Sequence, residues 1–208
     1  MPKSFVELNK VFFEAEFDIY FKYLDSMEAF ISTEITHHKN SLGEIERKGE
    51  LTFSDDPGQM PTEFEYDYYH LDILDQFANI MRRSYFVSLY SSVETTLIDY
   101  ATYRDQRSCF TPPRQDVLMK TITFLIDSNL TQFSFSKSNA QWQTIRNLGR
   151  LRNTIVHNDG RPKDKELVRF INSTNGLSLS SAWVELDYSF CTEATKLSLS
   201  FLTSVLFD

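Results

Sequence analysis

Arg152-Asn153-Thr154-Ile155-Val156-His157 is the stretch of this chain whose residue types and spacing suit chemistry on a phosphate. A guanidinium offers phosphoryl oxygens a planar fork of donors and keeps its charge. Five residues on stands an imidazole, the side chain whose ordinary titration falls near neutral pH. Together they can hold a phosphodiester and move a proton, and Asn153 sets a neutral amide beside the cation. At about 100° per residue, Trp142, Ile145, Leu148, Leu151, Ile155 and Val156 spread over one apolar arc, with Arg152 in its middle. Asn153 and His157, four apart, stack on the adjoining polar face, with Arg146 and Arg150 beside them. A guanidinium directed into an apolar seam is costly unless an anion meets it there. Glu94, at the edge of the apolar face of its own helix, is the partner the sequence offers. The same residues equally describe a structural arginine, its stem on the core and its head in an ion pair. Residues five apart on a regular helix point about 140° apart, so Arg152 and His157 of one chain do not converge unaided. Either the helix unwinds at Asn158, or a second copy completes the site across a two-fold axis.

The elements that must position these residues are read from hydrophobic spacing. Phe5, Leu8, Phe12, Ala15, Ile19, Tyr23, Met27 and Phe30 recur at three- and four-residue steps, which predicts a long helix from Ser4 to about Lys39. A short helical piece over Leu42 to Lys48 follows, then a loop from Ser54 to Pro61. Helix resumes near Tyr68 and continues through Leu71, Leu74, Ile80, Leu89, Val93 and Leu97 to about Tyr103, long enough to expect a kink at Arg82-Arg83. Pro112-Pro113 stops any helix and can open the next, which runs through Val117, Leu118, Ile122 and Leu125 to about Asn129. Ser134 to Ser138 reads as a loop, and Ser138 with Gln141 has the form of a capping box for the motif helix. Asn158-Asp159-Gly160 ends that helix, and a short helix spans Asp164 to Ile171. Gly176 to Leu179 and Trp183 to Leu186 alternate like a β-hairpin across Ser180-Ser181. A last helix covers about Tyr188 to Leu206. The expected architecture is all-α, five to seven helices with a small β-hairpin before the C-terminal helix.

The hexapeptide resembles the RX4-6H motif of HEPN domains, small all-helical domains of which many are metal-independent endoribonucleases in toxin–antitoxin and antiviral systems. Its place at the C-terminal end of a helix in the last third of the chain fits that pattern. Ser84 to Glu94 is similar to the helix that often precedes the motif helix. The resemblance covers roughly Asp67 to Asp208, which implies one domain over 1–208 with a HEPN-like core at 67–208 and a long-helix extension at 1–50. It further implies a homodimer with a composite cleft and an RNA substrate. A cognate antitoxin or defence-system protein would be a further partner. In that setting Arg152 stabilises charge on the phosphoryl oxygens, His157 acts as general acid or base, and Asn153 orients one or the other. Asp159 stands where one toxin subgroup carries tyrosine, which leaves that subgroup's chemistry open here.

Composition narrows the choice. Lys and Arg number 21 against 29 Asp and Glu, a net charge of −8, which argues against a broadly basic nucleic-acid platform. Any RNA contact is local, around Arg146, Arg150, Arg152 and Arg161. Eighteen Phe and ten Tyr leave apolar surface over for a partner. Cys109 and Cys191 are expected as buried thiols. No signal peptide or membrane span is read from the sequence, so a cytoplasmic protein is expected. His37 and His38, adjacent on a helix, point about 100° apart with no ligand-spaced set beside them, so neither a metal site nor a cofactor is expected. There is no Gly-rich phosphate loop, no G-x-S-x-G and no H-E-x-x-H. The alternative to an enzyme is a non-catalytic oligomerisation or interaction module, with Arg152 locking the fold. The net charge favours the module, and Asn153 beside the motif favours the enzyme.

Overall fold

Thr62 opens the helix on which the rest of the molecule is assembled. Its hydroxyl accepts from the Glu65 N–H at 3.2 Å, and the Glu65 carboxylate accepts from the Thr62 N–H at 2.8 Å. This reciprocal cap satisfies two N–H groups that a helix start leaves open. It starts α2 at Glu63, ahead of the first periodic apolar residue, and the helix runs unbroken to Arg104. At Arg82-Arg83, where a kink was expected, the helix is not interrupted, and both cations find partners on neighbouring elements. Arg82 grips Glu28 through two bonds of 2.6 and 2.7 Å, and Arg83 donates to the Val184 carbonyl. The computed structural model describes residues 3–49, 61–105, 109–133 and 140–207. The loop expected over 54–61 lies almost wholly outside the described residues, as does the Ser138 cap.

α1, Lys3–Lys48, is one helix rather than two. Ile45, only 3% exposed, gives its last turns an apolar contact, so the chain does not break after Lys39. Contacts pair Tyr23 with Tyr85, Glu28 with Arg82 and His38 with Asp67, so α1 and α2 lie antiparallel. Phe17, Leu24 and Ile31, at seven-residue steps, bring α1 into the same core as the other helices.

The remaining elements are α3 (Val117–Asp127), α4 (Ala140–His157), α5 (Lys165–Ser173), β1 (Leu177–Ser180), β2 (Trp183–Leu186) and α6 (Tyr188–Leu206). Proline does not open α3. Its N-cap is Asp116, in the left-handed region at φ 50°. Phe86 of α2 packs on Phe190 of α6, and Trp142 of α4 on Phe201, at 5.4 and 6.2 Å between ring centroids. The strands pair antiparallel from Leu177 opposite Leu186 to Ser180 opposite Trp183. Their turn falls at Ser181-Ala182, one residue later than expected, with φ of 47° and 71°. Two left-handed central residues make the turn that matches strand twist. Cys191 is buried, which pushes its thiol up to about 12, whereas Cys109 is exposed, contrary to expectation. Among the described residues no helix is long and apolar enough to cross a membrane.

Candidate active site

The apolar seam of α4 closes on α2 through Ile145, Leu148 and Leu151, all at most 2% exposed. Gly149 lets the helices approach. A Cβ there would overlap the Tyr90 hydroxyl, so this mid-helix glycine marks a close crossing that the motif reading missed. The approach brings Arg152 to Glu94. Their side chains are 24% and 19% exposed, and Nη2 lies 3.8 Å from the carboxylate. That separation exceeds a hydrogen bond, so the guanidinium is held electrostatically without being saturated. Nη1 donates to Asn153 Oδ1 at 2.9 Å, while Nε is buried with no partner. Burial pushes the Glu94 carboxyl up and Arg152 pulls it down, with burial prevailing. Tyr90, beside both, is likewise raised by burial and by the Glu94 charge.

Glu94 and Asn153 also line a cleft of about 370 Å³ between α2, the start of α3 and α4. Tyr90, Trp142, Arg146 and Arg150 complete much of its wall, and Val117 to Met119 place the first turn of α3 at its edge. Helix starts carry open N–H groups and partial positive charge, but Asp116, the N-cap of α3, also lines this edge and its carboxylate offsets that field. A larger cleft, about 460 Å³, lies between α2 and the hairpin, but Asp75, Glu185 and Asp187 line it and no motif residue does. Its surplus of carboxylates is unsuited to a phosphate.

The structure brings Glu94, Arg146, Arg150 and Asn153 to one cleft; Arg152 touches two of its lining residues without lining it, and His157 and Arg161 lie elsewhere. Arg150 is held by Asp164 and by Glu166, the latter at 3.3 Å, so much of its charge is already matched. Arg161 lies over the Trp183 ring at 4.3 Å, a cation–π contact that directs it to the hairpin. His157 is exposed in the last turn of α4. The helix does not unwind before it, since the Asn158 and Gly160 N–H groups both bond to the Thr154 carbonyl at 3.0 Å. Of the two routes to convergence, local unwinding is therefore not taken within the chain. Among the described residues no group of three or more His, Cys, Asp or Glu side chains is placed to hold a metal ion. His38 instead bonds Asp67 at 2.7 Å and stacks on His70. No family model, curated protein or solved structure matches this chain.

Proposed function

We propose that this protein is a HEPN-type endoribonuclease that needs no metal, acting in the cytoplasm as a toxin or anti-phage effector. One observation carries the reading. Arg152 is held by an ion pair too long to saturate it, and its two partners, Glu94 and Asn153, line a cleft of about 370 Å³. A phosphate entering beside Asn153 would complete the guanidinium's donor set. Arg146 on the same wall would draw the backbone in, as a local cation must on an acidic protein. The ribose 2′-oxygen would attack the adjacent phosphorus, forming the new P–O bond as the bond to the 5′-oxygen breaks. Arg152 would stabilise charge developing on the non-bridging oxygens. His157 would take the 2′-OH proton or return one to the departing 5′-oxygen. The products are a 2′,3′-cyclic phosphate and a 5′-OH end. Because Arg152 and His157 stand on different sides of α4, the reading requires the histidine of a second copy, hence a homodimer. A cognate antitoxin or defence-system protein would then restrain it.

The test is incubation of the full chain with assorted RNAs in EDTA, beside His157→Ala and Arg152→Lys. Each variant should lose at least about 100-fold, the scale of a missing acid–base group or oxyanion donor. Lysine keeps the charge but not the fork. An all-DNA analogue should stay intact. Cleavage that required Mg²⁺, or that survived in His157→Ala, would remove the mechanism. It would leave a second reading, a non-catalytic module, which the engagement of Arg152 by Glu94 and of Arg161 by Trp183 favours.

A further inference from the structure

We infer that the cleft between α2, α3 and α4 takes a guanine base, with Asp116 as the residue that selects it. The inference rests on reading that cleft as a phosphate site, but not on RNA cleavage.

Four charged residues line the cleft, Glu94, Asp116, Arg146 and Arg150. Two of them are engaged, Glu94 by Arg152 and Arg150 by Asp164 and Glu166. Asp116 and Arg146 are exposed, and among the described residues neither side chain enters a hydrogen bond or an ion pair. They do not pair with each other either. The cleft therefore keeps a free anion on its α3 side and a free cation on its α4 side.

The carboxylate is free for a backbone reason. An aspartate at an N-cap ordinarily has an extended backbone and accepts from the N–H groups of the first turn. Asp116 sits instead in the left-handed region, at φ 50°, and makes no such bond. That conformation carries a cost outside glycine, and no cap bond offsets it here.

Chemistry chooses the ligand. A molecule that spans two opposite free charges needs an anion at one end and donors at the other. A nucleotide has both: its phosphate suits the guanidinium of Arg146, which leaves its base to Asp116. An ionised carboxylate offers two acceptor oxygens and no donor. Guanine is the one base of the four in RNA with two adjacent donors, N1–H and the N2 amine, aimed the same way. It can make the paired contact with a carboxylate that arginine makes. Adenine and cytosine set a ring acceptor beside their amine, and uracil flanks its single N–H with carbonyls. Each of those three aims a lone pair at the carboxylate. Val117 and Met119, half-buried on the same wall, give the ring an apolar surface. The volume, about 370 Å³, falls within the roughly 300–1,000 Å³ of small-molecule sites.

Calorimetric titration of the full chain with 5′-GMP, AMP, CMP and UMP tests this. GMP should bind at least about 10-fold more tightly than the others, the scale of a bidentate base contact. IMP, which keeps N1–H and lacks the N2 amine, should lose most of that advantage. Asp116→Asn should abolish the preference with unchanged circular dichroism, since asparagine tolerates a left-handed backbone and serves at an N-cap as aspartate does. Arg146→Ala should weaken GMP but not guanosine, which has no phosphate. Short single-stranded RNAs with and without one guanine distinguish the sources of the base. A guanine-dependent gain in the RNA pair supports the site in a strand, and a preference confined to mononucleotides supports it for a free nucleotide. No binding of GMP at millimolar concentration, equal binding of the four nucleotides, or a preference that survives Asp116→Asn would overturn the inference. A GMP preference in a protein that cleaves no RNA would remove the catalytic reading and leave this site standing. Cleavage of RNA with no preference for guanine would do the reverse.

Discussion

Arg152→Ala separates the energetic role of the seam cation from its chemistry. Nη2 stands 3.8 Å from Glu94, both side chains being mostly buried. Unit charges about 4 Å apart attract by about 4 kcal/mol in the effective dielectric near a protein surface. Desolvation of both groups offsets much of that, so breaking the pair should cost about 1–3 kcal/mol, below the roughly 3–5 of a fully buried pair. The pH dependence carries the sharper information. Glu94 is raised above its ordinary value by burial, against the pull of Arg152. A carboxyl raised on folding contributes stability that is complete below its unfolded pKa and is lost as pH rises through the folded value. Removing Arg152 removes the opposing pull, so the loss extends further and the deficit of Arg152→Ala should be larger at neutral pH than at mildly acidic pH. Urea unfolding followed by fluorescence of Trp142, itself 2% exposed, reports the deficit at each pH. Glu94→Gln in the Arg152→Ala background should recover most of it at high pH. A deficit equal at both pH values, or no recovery with glutamine, would refute the coupling of these two side chains.

Gly149→Ala should destabilise by about 1–2 kcal/mol. Overpacking against the Tyr90 hydroxyl exceeds the gain in helix propensity, and Tyr90→Phe should restore stability in the double variant. Asp67 is pushed up by burial but held below its ordinary value by the Ser41 hydroxyl, the His38 ring and His37. Its contribution is therefore present above the ordinary Asp range and lost as pH falls through the depressed value, so Asp67→Asn should flatten the acid limb of a stability profile. Arg146→Ala should weaken RNA binding and reduce its salt dependence, while Arg161→Ala, whose guanidinium lies over Trp183, should leave both unchanged in filter binding.

Helix spacing was legible where one face is buried against a large core. α6, with Phe190, Phe201, Leu202 and Val205 turned inward, starts and ends where the periodicity placed it. Boundaries set by single polar contacts were harder to read. The Thr62–Glu65 cap lies ahead of the apolar stripe, and Asp116 begins α3 through a left-handed conformation that no residue pattern announces. The hairpin turn carries Ser181 and Ala182 where Gly or Asn would have marked a left-handed pair. At the site, the Arg152–Glu94 pairing could be inferred because an apolar arc leaves a cation little choice of partner. The fates of Arg150 and Arg161 could not, since Asp164, Glu166 and Trp183 belong to segments whose placement depends on the tertiary fold. Gly149 was the available signal for the Tyr90 crossing, a helix-weakening residue within a strong amphipathic pattern.

The Val184 peptide joins parts of the chain made at very different times. Its N–H donates to the Gly160 carbonyl at 2.9 Å, just past the motif helix, and its carbonyl takes both Arg83 Nε, at 3.1 Å, and Arg83 Nη2. During synthesis α2 leaves the ribosome early, and domains fold as their N-terminal parts appear. The turn that fixes the end of α4 nevertheless lacks its clasp until the hairpin has followed. A nascent chain that already carries the whole Arg152–His157 segment can pair Arg152 with Glu94 but still lacks the bond that holds the Gly160 carbonyl. The end of α4 is thus clasped only once the hairpin has been made, when the chain is almost finished.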